Sequence, residues 1–166
     1  MNCTNCGNQM PSDAKFCNKC GKPIETKLSN EIFKKMSDHL EFLGYKIEIV
    51  KPSKKGDKEL IFATHTQYNN VVISEITPNL ILFRINLTTN KKFNDEINVY
   101  LNDANRMLNC CKVFYDIDKE MVVLRFEAIY TGDYNKEVFG QFIDMLNNDV
   151  GNLFRKGKDF DKIFLG

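Results

Sequence analysis

The apolar residues that follow residue 27 recur with two different spacings, and each spacing predicts a different type of element. In the first run they lie three or four residues apart, as on one face of an amphipathic helix, and Gly44 stands where a helix C-cap is expected. The apolar members of this run are Leu28, Ile32, Phe33, Met36, Leu40 and Leu43. We therefore expect a first helix that buries one face.

Alternating and short β-branched runs follow this helix and predict strands. Tyr45, Ile47 and Ile49 alternate with charged residues, and a polar turn at residues 53–57 favours a hairpin. Three further runs, separated by Asn-rich or Pro-Asn turns, occupy residues 60–64, 71–76 and 80–87. Together these runs indicate an antiparallel meander of up to four strands.

The helical spacing returns twice in the second half of the chain. One apolar face spans residues 97–108, and Asn94 or Asp95 is placed to cap its start. Runs at residues 113–117 and 121–130 then predict a second hairpin. The strongest helical stripe follows and consists of Val138, Phe139, Phe142, Ile143, Leu146, Val150, Leu153 and Phe154. This last helix should cover the sheet.

The predicted order of elements, α-β-β-β-(β)-α-β-β-α, favours an α+β fold with an antiparallel sheet. No regular alternation of strand and helix is present to build parallel crossovers. We expect this domain to span residues 31–166 and residues 25–30 to form a linker. Residues 1–24 lie outside this pattern and should form a separate small unit.

That small unit carries two Cys-x-x-Cys-Gly motifs, with the pairs Cys3 and Cys6, and Cys17 and Cys20. Two such turns can surround one zinc ion with four sulfurs, the tetrahedral arrangement of structural sites. All four positions are then filled, so the metal cannot activate water. We predict a zinc ribbon with one structural zinc per chain.

Disulfides, a redox dithiol or an iron–sulfur cluster are the alternative uses of these cysteines. A redox motif is expected once, near a βαβ pattern, whereas this motif occurs twice in a segment too short to bury a core. Spacing alone does not distinguish zinc from an iron–sulfur cluster. Because packing is scarce, metal ligation must supply the folding free energy of the segment.

Composition narrows the classes of partner. Lys and Arg number 23 against 22 Asp and Glu, and 43% of residues are apolar, so no polybasic or acidic surface is implied. No apolar run reaches the length that crosses a bilayer, and the N-terminus lacks a signal pattern. Thiolate ligands favour a reducing compartment, so we expect a cytoplasmic protein without a membrane partner.

No catalytic constellation is recognisable, and we predict that the protein is not an enzyme. His39 and His65 have no partner at a catalytic spacing, so we interpret them as structural or solvated. Asp116, Asp118 and Glu120 lack the glycine and the later glutamate of a calcium loop and indicate turn chemistry instead.

Two further features are a pair of adjacent cysteines and an apolar C-terminal segment. Cys110 and Cys111 could form a reactive or second metal pair, but adjacent side chains on a strand point to opposite faces. We expect one buried and one exposed thiol. The C-terminal segment carries the apolar residues Phe160, Ile163, Phe164 and Leu165. They could dock on a partner or on their own domain, and we expect them to pack on their own domain.

The chain resembles two known families. The two cysteine motifs, with Phe16 before the second, resemble the short N-terminal zinc ribbon that many bacterial and archaeal proteins attach to unrelated domains. Residues 101–106, the hairpin at 113–128 and the final helix resemble the YbjN-like family of proposed bacterial sensory-transduction regulators. That family shares the α+β fold of type III secretion chaperones, which bind partner polypeptides and often form homodimers.

The YbjN-like resemblance singles out Asn102, Asn105 and Arg106 as residues to test. The last two are also residue types that cap or solvate the end of a helix. What the family implies is a chaperone- or adaptor-like regulatory module that binds another protein and can form a homodimer.

Nucleic-acid binding through the ribbon is the alternative function. Over residues 3–22, three lysines and one aspartate give a charge of +2, and a zinc ion with four thiolates gives −2. The loaded ribbon is therefore close to neutral, whereas phosphate contacts need a basic patch. This balance favours a protein partner.

Overall fold

The computed structural model describes residues 2–3, 5–9, 16–22, 28–50, 58–77 and 80–156. The described residues form three helices and six strands: α1 (Leu28–Phe42), β1 (Lys46–Val50), β2 (Leu60–Thr64), β3 (Val71–Thr77), β4 (Leu80–Lys92), α2 (Asp95–Met107), β5 (Cys111–Asp118), β6 (Met121–Thr131) and α3 (Lys136–Lys156). This order confirms the predicted α+β fold. The polar turn at 53–57 and the apolar C-terminal segment lie outside the described residues. The linker predicted at residues 25–30 lies outside them as far as residue 27, and its last three residues belong to α1.

The six strands form one sheet in the order β1-β2-β3-β4-β6-β5, with every neighbouring pair antiparallel. The first four strands make the predicted meander. The second hairpin then joins β4 through its later strand, β6, with a ladder that runs from Leu80 opposite Thr131 to Lys92 opposite Met121. As a result β1 and β5 are the two edge strands.

The helices pack against one face of this sheet and form a single core with it. Phe83 of β4 lies at the centre, with its ring centroid 5.8 Å from that of Phe139 and 4.9 Å from that of Phe142 on α3. The pair with Phe142 is edge-to-face and that with Phe139 is tilted, and such aromatic contacts add to the free energy of burial. The prediction that the last helix covers the sheet is therefore correct.

The apolar stripe of α3 is buried except at its two ends. Val138 is 53% exposed and Phe154 is 36% exposed, while the six residues between them in the stripe are buried. Met107 on α2 is also exposed, because the helix ends there and Leu108 turns back into the core. Hydrophobic spacing identifies the buried face but not how far along the helix burial extends.

The capping residues predicted from the sequence lie at the end of α1 and at the start of α2. Gly44 has a φ of 91°, and its N–H donates to the carbonyl of Glu41 at 2.9 Å, which closes the C-terminus of α1. Of the two candidate N-caps of α2, the structure uses Asn94, whose Oδ1 accepts the N–H of Ile97 at 3.1 Å.

Candidate metal centre and open sheet face

Two tight turns hold the four cysteines of the N-terminal segment. In each turn a glycine N–H donates to the carbonyl of the first cysteine, Gly7 to Cys3 and Gly21 to Cys17, both at 2.8 Å. The two glycines have φ angles of 70° and 66°, which a residue with a side chain adopts only with strain. The repeated Cys-x-x-Cys-Gly motif therefore builds the same turn twice.

The sulfur atoms of the four cysteines all lie within 4.8 Å of one another. Cys3 Sγ is 3.7 Å from Cys20 Sγ, and Cys6 Sγ is 3.6 Å from Cys17 Sγ. A tetrahedral zinc ion with Zn–S bonds of about 2.3 Å holds its sulfurs about 3.8 Å apart, whereas disulfide sulfurs are about 2.05 Å apart. The four cysteines are thus positioned to bind one metal ion and not to form two disulfides.

Hydrogen bonds and crowding give these sulfurs unequal acidities. The backbone N–H of Lys22 and the side-chain amide of Asn5 lower the pKa of the Cys20 thiol to about 6. The backbone N–H of Asn8 lowers the pKa of Cys6, but burial and the neighbouring sulfurs outweigh it and raise that pKa to about 12. Four thiolates this close need a cation between them, and zinc supplies that charge. With four sulfurs around it, the zinc is structural.

Both histidines take structural positions. His39 is buried on α1, and its Nδ1 lies 3.0 Å from the hydroxyl of Tyr134. Burial, with a smaller contribution from Lys136, lowers the pKa of His39. His65 Nδ1 accepts the backbone N–H of Gln67 at 2.9 Å and orders the turn after β2.

The acidic residues near the second hairpin do not converge on a cation site. Asp116 forms an ion pair with Arg125, and Glu120 Oε2 lies 2.6 Å from Lys92 Nζ. Among the described residues, the cysteine cluster is the only group of His, Cys, Asp or Glu side chains with ligand atoms close enough for a metal. Asp118 faces Met121 at the hairpin end, where the predicted turn lies.

The three residues singled out by the YbjN-like resemblance separate in the structure. Asn102 is exposed, and Arg106 is an exposed partner of Asp103 at 3.3 Å. Asn105 instead points at β5, where its amide forms two hydrogen bonds with the backbone of Val113. Asn105 therefore stabilises the edge of the sheet. It neither caps its helix nor simply faces solvent.

A buried carboxylate that the sequence analysis did not single out anchors the start of β5. Asp149 on α3 is 1% exposed, and its carboxylate accepts the backbone N–H groups of Asn109, Cys110 and Cys111 at 2.8 to 3.2 Å. Burial raises its pKa, but these hydrogen bonds outweigh burial and leave the pKa below its usual value. The two adjacent cysteines are therefore part of this anchored turn, with Cys111 buried and Cys110 half-buried.

The sheet face opposite the helices, here called the open sheet face, carries a row that is apolar except at its central residue, Ser74, and is here called the apolar row. Residues directly opposite one another in antiparallel strands point to the same face. The register therefore aligns Val50, Leu60, Ser74, Leu82 and Ile129 in one row across five strands. None of the five is buried, and Ile129 is 49% exposed. No described element covers this row.

The next row on the open sheet face is mixed. It begins with Glu48, Phe62 and Val72 and continues through Arg84 and Glu127 to Lys112 on β5. Arg84 and Glu127 form an ion pair, in which Arg84 Nη2 lies 2.8 Å from Glu127 Oε1. The side chain of Arg84 is 33% exposed and that of Glu127 is 25% exposed. The face thus combines an apolar row with fixed charges beside it.

A groove of about 570 Å³ lies on the other side of β1, between that strand and α1. Phe33, Ile47, Ile49 and Ile61 contribute its apolar surface. Lys34, Asp38, Glu41 and Glu59 contribute its charged groups. The groove therefore borders the same edge strand at which the open sheet face ends.

The cysteine cluster and the antiparallel sheet define a zinc-ribbon protein with an α+β domain. A family model of the zinc-ribbon domain matches residues 2–24. The described fold is similar to the crystal structure of YbjN from E. coli, a candidate transcription regulator, with a TM-score of 0.53 and 14% identity. The similarity covers 71% of this chain and 84% of YbjN and confirms the YbjN-like fold.

Comparison with curated proteins finds no match. Among the described residues, no helix combines the length and the apolar character needed to span a bilayer.

Proposed function

We propose that this protein is a non-enzymatic adaptor or regulatory module that binds a segment of another protein on its open sheet face. Residues 1–24 form the ribbon, in which Cys3, Cys6, Cys17 and Cys20 are the zinc ligands. A linker that ends where α1 begins, at Leu28, joins it to the binding domain. The zinc ion stabilises the ribbon, which is too small to fold through its core alone.

The apolar row on the open sheet face is the observation that carries this proposal. A monomeric domain rarely exposes aligned apolar side chains across most of a sheet unless another molecule covers them. Ile129 in this row is 49% exposed, and Phe62 in the neighbouring mixed row is 37% exposed. An extended or helical segment with apolar side chains on one side suits such a surface.

The ion pair beside the row supports selectivity. Arg84 and Glu127 hold each other in place, so their charges stand at fixed positions next to the apolar side chains. A bound segment gains affinity from the apolar row and orientation from polar groups that match these charges.

The test is affinity purification from the source cells followed by quantitative mass spectrometry. The double variant Phe62→Glu with Ile129→Glu places charge on the open sheet face and should lose the partner protein. Val99→Glu, which alters a 65% exposed apolar residue on α2, is the matched control and should retain it. The interaction is then measured with both purified proteins. Equal recovery of all proteins by the two variants contradicts the proposal.

Nucleic-acid binding is the second candidate function, favoured by the description of the structurally similar YbjN as a candidate transcription regulator. Among the described residues of the ribbon, Lys19 and Lys22 are exposed cations. A salt-dependent mobility shift of a random oligonucleotide, weakened by Lys19→Ala with Lys22→Ala, supports this candidate over the adaptor.

A further inference from the structure

The two edges of the sheet differ in how their backbone groups are satisfied. An edge strand presents N–H and C=O groups that can pair with another chain. On β5 side chains occupy these groups: Asn105 bonds both groups of Val113, and Asp149 accepts the N–H of Cys111. Asp116 accepts the N–H of Ile117 at 2.9 Å. Side chains therefore already occupy much of the β5 edge at residues 111, 113 and 117.

The β1 edge is open in the described part of the chain. There β1 pairs only with β2, and the one side chain that bonds its backbone is Thr64 of β2 itself, at 3.4 Å from the carbonyl of Lys46. Ile49 is 53% exposed on the groove side of this strand, and Val50 is 39% exposed on the open sheet face. An edge strand with exposed apolar side chains and no described partner on its outer side is suited to pairing.

We propose that β1 pairs antiparallel with β1 of a second copy of this chain, centred on Ile47. The basis is the self-complementary order Lys46-Ile47-Glu48. About a two-fold axis at Ile47, Lys46 lies opposite the partner subunit's Glu48, and Glu48 lies opposite the partner subunit's Lys46. Directly opposite side chains in antiparallel strands are close enough to form ion pairs.

Charge selects this register over its neighbours. An axis at Glu48 places two glutamates directly opposite each other, which is unfavourable. An axis at Ile49 leaves both Lys46 and Glu48 without an opposite charge. A single sign of charge on an edge strand repels a second copy, whereas one residue of each sign two positions apart matches it.

Helix α1 extends the same complementarity beside the strand. Lys34 and Glu41 both line the groove and lie about two helical turns apart. A two-fold axis between the strands brings the Lys34 end of one helix toward the Glu41 end of the other. Asp38 lies between them and faces its own copy, but it is exposed, so solvent screens that repulsion.

This pairing joins two six-stranded sheets into one continuous sheet. It also covers Ile47 and Ile49 at the groove and sets the two open sheet faces side by side. The dimer does not depend on the proposed binding of another protein, so each can fail without the other.

The experiment measures the mass of the zinc-loaded full chain by sedimentation and native mass spectrometry. The wild type should be a dimer. Lys46→Glu and Glu48→Lys should each weaken dimerisation roughly tenfold or more, because each places like charges opposite one another. Lys19→Glu and Glu96→Lys carry the same charge changes elsewhere and should leave the dimer intact.

Rescue separates pairing at this register from loss of folding. An equimolar mixture of Lys46→Glu and Glu48→Lys should form a heterodimer, and the double variant K46E/E48K should form a homodimer, since both restore opposite charges. A monomeric wild type overturns the proposal. If the β1 amides of that monomer are protected from hydrogen exchange, another segment of the same chain covers the β1 edge. Dimerisation that persists in both single variants, or rescue that fails in folded variants, also overturns it.

Discussion

The side-chain amide of Asn105 bonds to Val113 as a neighbouring strand would. Its Nδ2 donates to the carbonyl of Val113 at 2.8 Å, and the N–H of Val113 donates to its Oδ1 at 2.7 Å. On its other side β5 pairs with β6, where Val113 lies opposite Phe126. One helical residue thus satisfies both backbone groups that the edge strand would otherwise leave unpaired.

Replacing this amide should destabilise the domain. Asn105→Ala removes both hydrogen bonds, and we expect a loss of about 1–3 kcal/mol in the free energy of unfolding, measured by denaturant titration. Asn102→Ala is the control on the same helix. Asn102 is exposed, so its replacement should change the free energy by no more than about 0.5 kcal/mol. Equal effects of the two substitutions contradict this role of Asn105.

The helices, strands and hairpins follow from hydrophobic spacing, but the neighbours of each strand do not. The order β4-β6-β5 places the later strand of the second hairpin inside the sheet, and no local pattern distinguishes this from the reverse order. The role of Asn105 depends on that placement, because it exists only when β5 is the edge beneath α2. The sequence therefore predicted the residue through a resemblance but not its contacts.

The buried carboxylate of Asp149 was not predicted from the sequence, for a related reason. It lies next to Val150 in an apolar helical stripe, and a single acidic residue there looks like any residue at the margin of a buried face. Its partners, the N–H groups of residues 109–111, are brought to it only by tertiary packing. The metal site, in contrast, is local, so spacing alone was enough to predict it.

Asp149→Asn should cost several kcal/mol of stability, on the order of 3. The variant keeps one acceptor oxygen but places an NH₂ group where N–H donors converge, and charge-assisted hydrogen bonds are lost. Asp144→Asn, on an exposed position of the same helix, is the matched control and should be nearly neutral. Chemical unfolding of both variants provides the comparison, and a mild effect at Asp149 argues against its anchoring role.

The second hairpin can be stabilised at its turn. Lys119 and Glu120 both have positive φ, 49° and 69°, the backbone of a two-residue turn that normally carries Asn-Gly. The double substitution Lys119→Asn and Glu120→Gly should raise the free energy of unfolding by about 0.5–1 kcal/mol. It removes the ion pair of Glu120 with Lys92, which is largely exposed and contributes little. A lower melting temperature contradicts this expectation.

His39 should make the domain less stable as the pH falls. Burial lowers its pKa in the folded state, so below the unfolded value of about 6.5 the unfolded chain binds the proton first. Stability is then lost as the pH falls through that value, while above about pH 7.5 the effect vanishes. His39→Gln removes this titration, and its unfolding free energy should fall less between pH 7.5 and 5.5. An unchanged slope assigns the pH dependence to other groups.

Metal removal should affect the ribbon alone. Elemental analysis should find one zinc per chain, and chelation should collapse the amide dispersion of residues 2–22 in NMR spectra while leaving the α+β domain unchanged. Cys6→Ser should lower zinc occupancy, because three thiolates and a hydroxyl replace the four-sulfur set. Cys110→Ser, which changes a half-buried thiol in the other domain, should retain one zinc.

Acidification should release the same zinc because protons compete with the metal for thiolate ligands. The loss should be cooperative, since the cysteines surround one ion and protonation of one sulfur weakens the hold of the others. Zinc release followed with a chromophoric chelator from pH 8 to 5 measures this. Two results contradict a structural zinc held by the ribbon: iron in place of zinc, and loss of the metal in Cys110→Ser. Loss of zinc in Cys6→Ser but not in Cys110→Ser supports it.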